Sequence, residues 1–197
     1  MRHLTHSRKF MQQALFFIVA SVFIYGVALN FSIAGETTDR RVKISLPLFP
    51  RIVAVDNKFH SKLTEDNKVR LVFVYDRNKS KARELAGEVG KSNKNIVNIE
   101  VDSLSLSLKD QLADSAKIPT AIFVSEPLGG TDFNKLVLYG IDKGIIIFSP
   151  YSGDVERGAT VGLSITSRVF PYFNNKTLDA SGVEINPILL NMSKRYE

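Results

Sequence analysis

Three apolar runs decide most of what this chain can fold into. They are Val69-Arg70-Leu71-Val72-Phe73-Val74-Tyr75, Thr120-Ala121-Ile122-Phe123-Val124-Ser125 and Gly144-Ile145-Ile146-Ile147-Phe148-Ser149. They are shorter than ordinary helices and too continuous for strands with one wet face. Such runs belong to strands buried on both sides, the kind found in parallel sheets covered by helices.

The stretches between the runs have helical character. Asp76-Arg77-Asn78 turns the chain, and Asn78 or Ser80 caps a helix running to about Val89. Gly90 to Asn95 is a polar loop with a good helix stop. Ile96 to Val101 alternates as a strand, Ser107 to Ala116 is a short amphipathic helix, and Thr131-Asp132 starts a helix or an irregular turn. Leu46 to Val55 fits either a strand or a helix. The helix is preferred, with Pro47 and Pro50 confined to its first turn. Strands and helices alternating at this spacing give an α/β fold, a three-layer sandwich with a mainly parallel sheet and helices on both faces.

The pattern changes after Ser149. Ala159 to Thr166 alternates as a half-exposed strand, with Val169 to Phe173 as its antiparallel partner and Asn174-Asn175 as the following turn. Thr177 to Ala180 is a single helical turn ended by Ser181-Gly182. Pro187 opens a terminal helix, Ile188 to about Arg195. No internal repeat or low-complexity segment interrupts this single domain.

The chain begins differently. Arg8-Lys9 precede an apolar run of 16 residues, Ala14 to Leu29, and Ser32-Ile33-Ala34 supplies small residues at −3 and −1. This is the order of a secretory signal peptide cleaved after Ala34. The rival reading is an uncleaved membrane anchor, since Ala14 to Ala34 approaches the length of a bilayer span. Either way the basic flank stays cytoplasmic and the rest crosses the membrane. The expected organisation is a leader over 1–34, a linker over 35–45 and an α/β domain over 46–197, located in the periplasm.

Composition narrows the chemistry. There is no Cys and no Trp, and past the leader only His60 remains of the 3 histidines. Thiolate metal sites, disulfides, Cys nucleophiles and a Ser-His-Asp triad therefore lack material. His60 sits in a polar stretch and is expected at the surface. The leader carries three of the 26 basic residues and none of the 20 acids, so half of the net charge of +6 belongs to it. No basic face of the nucleic-acid kind is left. Asp76-Arg77-Asn78-Lys79-Ser80-Lys81 has neither dinucleotide nor P-loop spacing, and Gly129-Gly130 is weak evidence. The expectation is a protein that is not an enzyme and holds no cofactor or metal.

Open parallel sheets bind ligands outside the carboxyl ends of their strands. The residues just past those ends are Tyr75, Asp76, Arg77, Glu126, Tyr151 and Asp154, the candidate ligand- or partner-binding rim. A rim of this kind is also polar simply because loops are wet. Asp154, Glu156 and Arg157 have in addition the makings of a self-satisfied turn.

The C-terminal half resembles the YfiR-like periplasmic proteins of the DUF4154 type. The resemblance rests on Val161-Gly162-Leu163-Ser164-Ile165, the turn Asn174-Asn175, Leu178-Asp179-Ala180-Ser181-Gly182-Val183, and Ile185 through Met192. Leu46 to Val55 matches the helix before that family's first sheet strand. The resemblance implies a binding and regulatory protein that restrains a membrane-bound diguanylate cyclase by contact with its periplasmic part. A homodimer is left open. The disulfides of that family's best-known repressors have no counterpart here. A weaker similarity to one lobe of transporter substrate-binding proteins implies a small-ligand module instead.

Overall fold

The computed structural model describes residues 37–113 and 117–197. The chain divides into two units at Arg40/Arg41. Of the first, residues 37–40 are described, and they are helical. The leader proposed for 1–34 lies outside the described residues. No helix among the described residues is long and apolar enough to cross a membrane.

The second unit, Arg41–Glu197, opens with helical residues 41–45 (α1) and helix α2, Phe49–Val53. Within the expected linker over 35–45, residues 41–45 are helical and Val42 is buried in the core. Pro50 falls in the first turn of α2, where its missing N–H costs nothing. The strands are β1 (Val69–Tyr75), β2 (Asn95–Ile96), β3 (Ile99–Ser107), β4 (Ala121–Val124), β5 (Ile146–Phe148), β6 (Val161–Ile165), β7 (Val169–Asn174) and β8 (Lys194–Tyr196). The helices between them are α3 (Lys79–Ser92), α4 (Leu108–Ala113), α5 (Gly130–Lys143), α6 (Asn175–Ser181) and α7 (Pro187–Asn191).

The eight strands of the described residues form one sheet, in the order β2-β3-β1-β4-β5-β6-β7-β8. From β3 to β6 the neighbours run parallel, β6 and β7 are antiparallel, and β8 returns parallel to β7. The order reverses at β1, because α3 carries the chain to one side of it and α4 carries it back to the other. The result is the expected α/β three-layer architecture, with its antiparallel strands towards the C-terminus.

A row of phenylalanines fixes one face. Phe73, Phe123 and Phe148 are in register on β1, β4 and β5. Their ring centroids are 5.2 Å and 5.4 Å apart, and Phe49 of α2 sits over all three at 5.4–5.8 Å. All four are fully buried. The opposite face sets Val72, Val74, Ile122, Val124 and Ile147 against Phe133 and Leu136 of α5 and Leu108 of α4. Gly140 permits that packing, because a Cβ there would lie 2.5 Å from Ile147 Cγ1. Gly144 ends α5 in the left-handed conformation at φ 63°.

Four segments depart from the sequence expectation. Helix α3 runs through Gly90 to Ser92, since its buried Ala82, Leu85, Ala86 and Val89 hold the helix against the sheet beyond the stop signal. Ile96 to Val101 is a tight hairpin instead of one strand, with Val97 and Asn98 at φ 51° and 64° turning β2 into β3. Strand β6 is interior, because β5 and β7 flank it and Val161, Gly162 and Leu163 are buried in succession. The terminal helix stops at Asn191, where β8 takes over and pairs Lys194 with Tyr172.

The phenylalanine row makes a stability prediction. Phe123 touches three aromatic neighbours, so Phe123→Ala should cost about 3–5 kcal/mol in chemical denaturation. A loss below about 1 kcal/mol would mean that the row is not what joins α2 to the sheet.

Candidate functional site

The six residues expected at the rim sit at or just past the carboxyl ends of β1, β4 and β5, and several of them are turned inward. The loops after β1, β4 and β5 are neighbours because their strands are neighbours. Glu126 bridges the first two. Its Oε1 accepts the backbone N–H groups of Asp76, Arg77 and Asn78 at 2.7, 2.6 and 2.9 Å. Burial works against the charge of Glu126. The three donors and the Arg77 charge outweigh it and hold the carboxyl below its ordinary value of 4.5. Such a nest at the start of α3, at the point where strand order reverses, is where a doubly wound sheet receives an anionic ligand. Here the chain's own carboxylate fills it.

Tyr151 bridges the next two loops. Its hydroxyl donates to the Ser125 carbonyl at 2.7 Å, and its ring packs against both faces of the core. Asp154 is buried, accepting from Ser149 Oγ at 2.6 Å and from Arg157 Nη1 at 2.9 Å. Burial pushes its carboxyl above the usual aspartate range, although Ser149 and Arg157 pull the other way. The Arg157 guanidinium in turn lies 4.3 Å from the centre of the Phe133 ring. Tyr75 packs at the edge of the core. Asp76 and Arg77 face outward and pair at 3.5 Å, with the Arg77 side chain 82% exposed. Of the six rim residues, Glu126, Tyr151 and Asp154 therefore hold the loops together, and Arg77 is the one most open to a partner.

The open site lies farther along the same rim, beyond β5. A cavity of about 230 Å³ is walled by the loop after β5, the end of β6, and Tyr172 and Lys194 of β7 and β8. Arg41 of α1 forms part of its wall, fixed by donating from Nε to the Pro150 carbonyl at 2.7 Å and from Nη2 to the Leu163 carbonyl at 2.8 Å. Burial lowers the pKa of this guanidinium, with Glu156 opposing. Burial, helped by a hydrogen bond to Glu156, raises the Tyr172 phenol. Lys194 Nζ stands 5.5 Å from the Tyr172 ring centre. The cavity thus gathers two cations, a carboxylate engaged with a phenol, and the hydroxyl residues Ser152, Ser164 and Thr166. Larger hollows of about 330 Å³ beside Lys43 and Arg51 and about 440 Å³ beside Asp66 and Arg70 lie away from the strands' carboxyl ends, one of about 510 Å³ runs along the exposed face of α3, and one of about 440 Å³ lies beside Leu106 and Asp110 at the end of β3.

Sequence reasoning missed Arg41, Glu156, Tyr172 and Lys194 as site residues. Arg41 sat in an assumed linker and Lys194 in an assumed helix. One signal was present. If β6 follows β5 in parallel, the connection to its antiparallel partner must fall at the carboxyl rim, which brings the start of β7 there. No group of three or more His, Asp or Glu side chains suited to a metal ion occurs among the described residues.

No family model matches the chain, and no curated protein does. Among solved structures it is similar to a conserved domain protein from Vibrio cholerae O1 biovar El Tor str. N16961, at 13% identity and TM-score 0.48, over 70% of this chain and 57% of that one. It is also similar to an ABC domain in complex with L-Trp from Streptococcus pneumonia, at 14% identity and TM-score 0.45, over 73% of this chain and 61% of that one. The chain therefore spans about three-fifths of the length of either structure.

The Glu126 contact has a pH signature. A carboxylate whose native pKa is depressed stabilises the fold fully above its unfolded value, and loses that contribution as pH falls through the native value. Glu126→Gln should cost about 1.5–3 kcal/mol at neutral pH, the range for hydrogen bonds to a charged group. The gap to the parent protein should narrow as pH drops below 4.5, the ordinary glutamate value. Thermal melts across that range check it, and a gap constant with pH would show that the charge contributes nothing.

Proposed function

We propose that this chain is a binding module of the periplasm, not an enzyme, and that a small ligand occupies the cavity of Arg41, Tyr172 and Lys194. The observation that carries this reading is the fixed guanidinium of Arg41. Two backbone carbonyls hold it at the cavity wall, half-buried, and Lys194 lines the same cavity. A cation pre-placed in a partly desolvated hollow offers a strong, directional anchor for a carboxylate. At about 230 Å³ the cavity is smaller than typical drug-sized sites of about 300–1,000 Å³. The ligand class is accordingly a small organic anion with further polar groups for Glu156 and the surrounding hydroxyls.

A second reading keeps the regulatory role implied by the YfiR-like resemblance, restraint of a membrane-bound diguanylate cyclase by protein contact. What supports it is the exposed Arg77 on a loop stiffened by Glu126, since rigidly presented arginines are common interface anchors. Arg77→Ala should then weaken partner binding by more than about 1 kcal/mol with an unchanged melting temperature.

Calorimetric titration with a panel of small carboxylates and amino acids tests the first reading. Lys194→Ala should weaken binding of any hit by about 1.5–3 kcal/mol, the worth of a charged hydrogen bond, and hardly alter stability, because Lys194 is exposed. Binding of a hit that Lys194→Ala leaves untouched would move the ligand elsewhere. A panel without hits would leave the protein-contact reading in its place.

A further inference from the structure

We propose that the end of the β6–β7 hairpin, together with α7, is a membrane-contacting strip that docks on an anionic lipid surface. Ile165, Val169, Phe170, Ile188 and Met192 are exposed large apolar residues, Ile188 and Met192 by 72% and 67%. They come from neighbouring chain segments. Ile165 pairs with Val169 at the turn end of the hairpin, and Phe170 pairs with Ser164 one step in. Two residues upstream of the Lys194–Tyr172 pair are Met192 on one segment and Phe170 on the other. Ile188 precedes Met192 by four residues, on the same side of α7.

Two features favour lipid over a protein surface. Successive strand residues point to opposite faces, so Val169 and Phe170 make the hairpin end apolar on both sides. A flat protein partner covers one side, whereas the boundary of a bilayer closes around both. The unpaired charges also lean to one sign. Residues 164–172 and 186–196 carry Arg168, Lys194 and Arg195, while of the acids nearby Glu184 is paired with Lys58, Glu156 is engaged with Tyr172, and Glu197 follows at the flank. All three cations are exposed. Apolar side chains seated at the headgroup boundary among cations describe an interfacial contact with anionic lipid.

The absence of native Cys makes the test clean. The full chain with Met192→Cys carries a polarity-sensitive dye and is mixed with vesicles of phosphatidylcholine plus phosphatidylglycerol, or of phosphatidylcholine alone. Lys91→Cys on α3, at the opposite end of the sheet order, is the reference position. The expected result is a blue shift, and quenching by brominated lipid, at position 192 but not at 91, and far stronger with the anionic vesicles. Arg168→Glu and Arg195→Glu should each raise the lipid needed for half-effect by at least about fivefold, the worth of one surface cation. Both leave the ligand cavity intact, so this result and the titration above fail independently. The proposal is overturned by equal signals at both positions or with both vesicles. It is also overturned by a shift that grows with protein concentration without lipid, which means a second copy, or by one that needs an added membrane protein.

Discussion

One row of rings holds this fold in register. Phe73, Phe123 and Phe148 are opposite one another on three parallel strands, and Phe49 closes over them from α2. Aromatic pairs at these separations add to the area they bury. A slip by one residue would exchange this row for the Val and Ile side chains of the other face, so the rings also specify register. The loops after β1, β4 and β5 inherit their alignment from that row, and every feature of the rim depends on it.

The rim then shows how a site can be closed by the chain that forms it. The nest at residues 76–78 has the geometry of an anion receptor, and Glu126 occupies it. Tyr151 and Asp154 likewise spend their polar atoms on Ser125, Ser149 and Arg157. Their preferences with pH oppose one another. Glu126 favours the fold more as it ionises, whereas buried Asp154 favours it more when protonated, an effect fully present below its ordinary value and lost as pH rises through the raised native one. Neither carboxylate is left free for chemistry on a ligand. The open cavity lies farther along the sheet, where β6 and β7 meet the loop after β5.

The parts legible in the sequence were those set by strong local signals. The apolar runs gave β1, β4 and β5, and Asn78 caps α3 by accepting the Lys81 N–H, as its type and place suggested. Positions near the carboxyl ends were legible too, because parallel topology dictates them. What those side chains do was not. An isolated Glu126 reads the same whether it faces water or three backbone donors 48 to 50 residues away in sequence. Gly90 misled because a helix stop is a weak local preference, while the buried stripe of α3 is a tertiary one. Lys194 and Arg41 were hidden for the same reason. Each takes its position from a partner more than 20 residues away, Tyr172 for one and Pro150 with Leu163 for the other.

The cavity that results has one firm wall and one light one. Arg41 ties α1 to the loop after β5 and to β6, at the margin of the sheet's most buried strands. The other wall includes β8, which is three residues long and, among the described residues, lies at the edge of the sheet and pairs with β7 alone. Lys194 over Tyr172 and Lys176 over Tyr196 are its cation–π fastenings, both near the exposed surface. Short, exposed edge elements sit at the low end of local stability, and ligand sites draw on that end for their moving parts. A ligand gripping both Arg41 and Lys194 would tie the light wall to the firm one. Because Tyr172 and Phe170 point the same way on one strand, two residues apart, that tie would also steady the hairpin end beside the cavity. The cavity and the apolar strip are therefore neighbours by construction, both consequences of β7 turning back at the carboxyl rim.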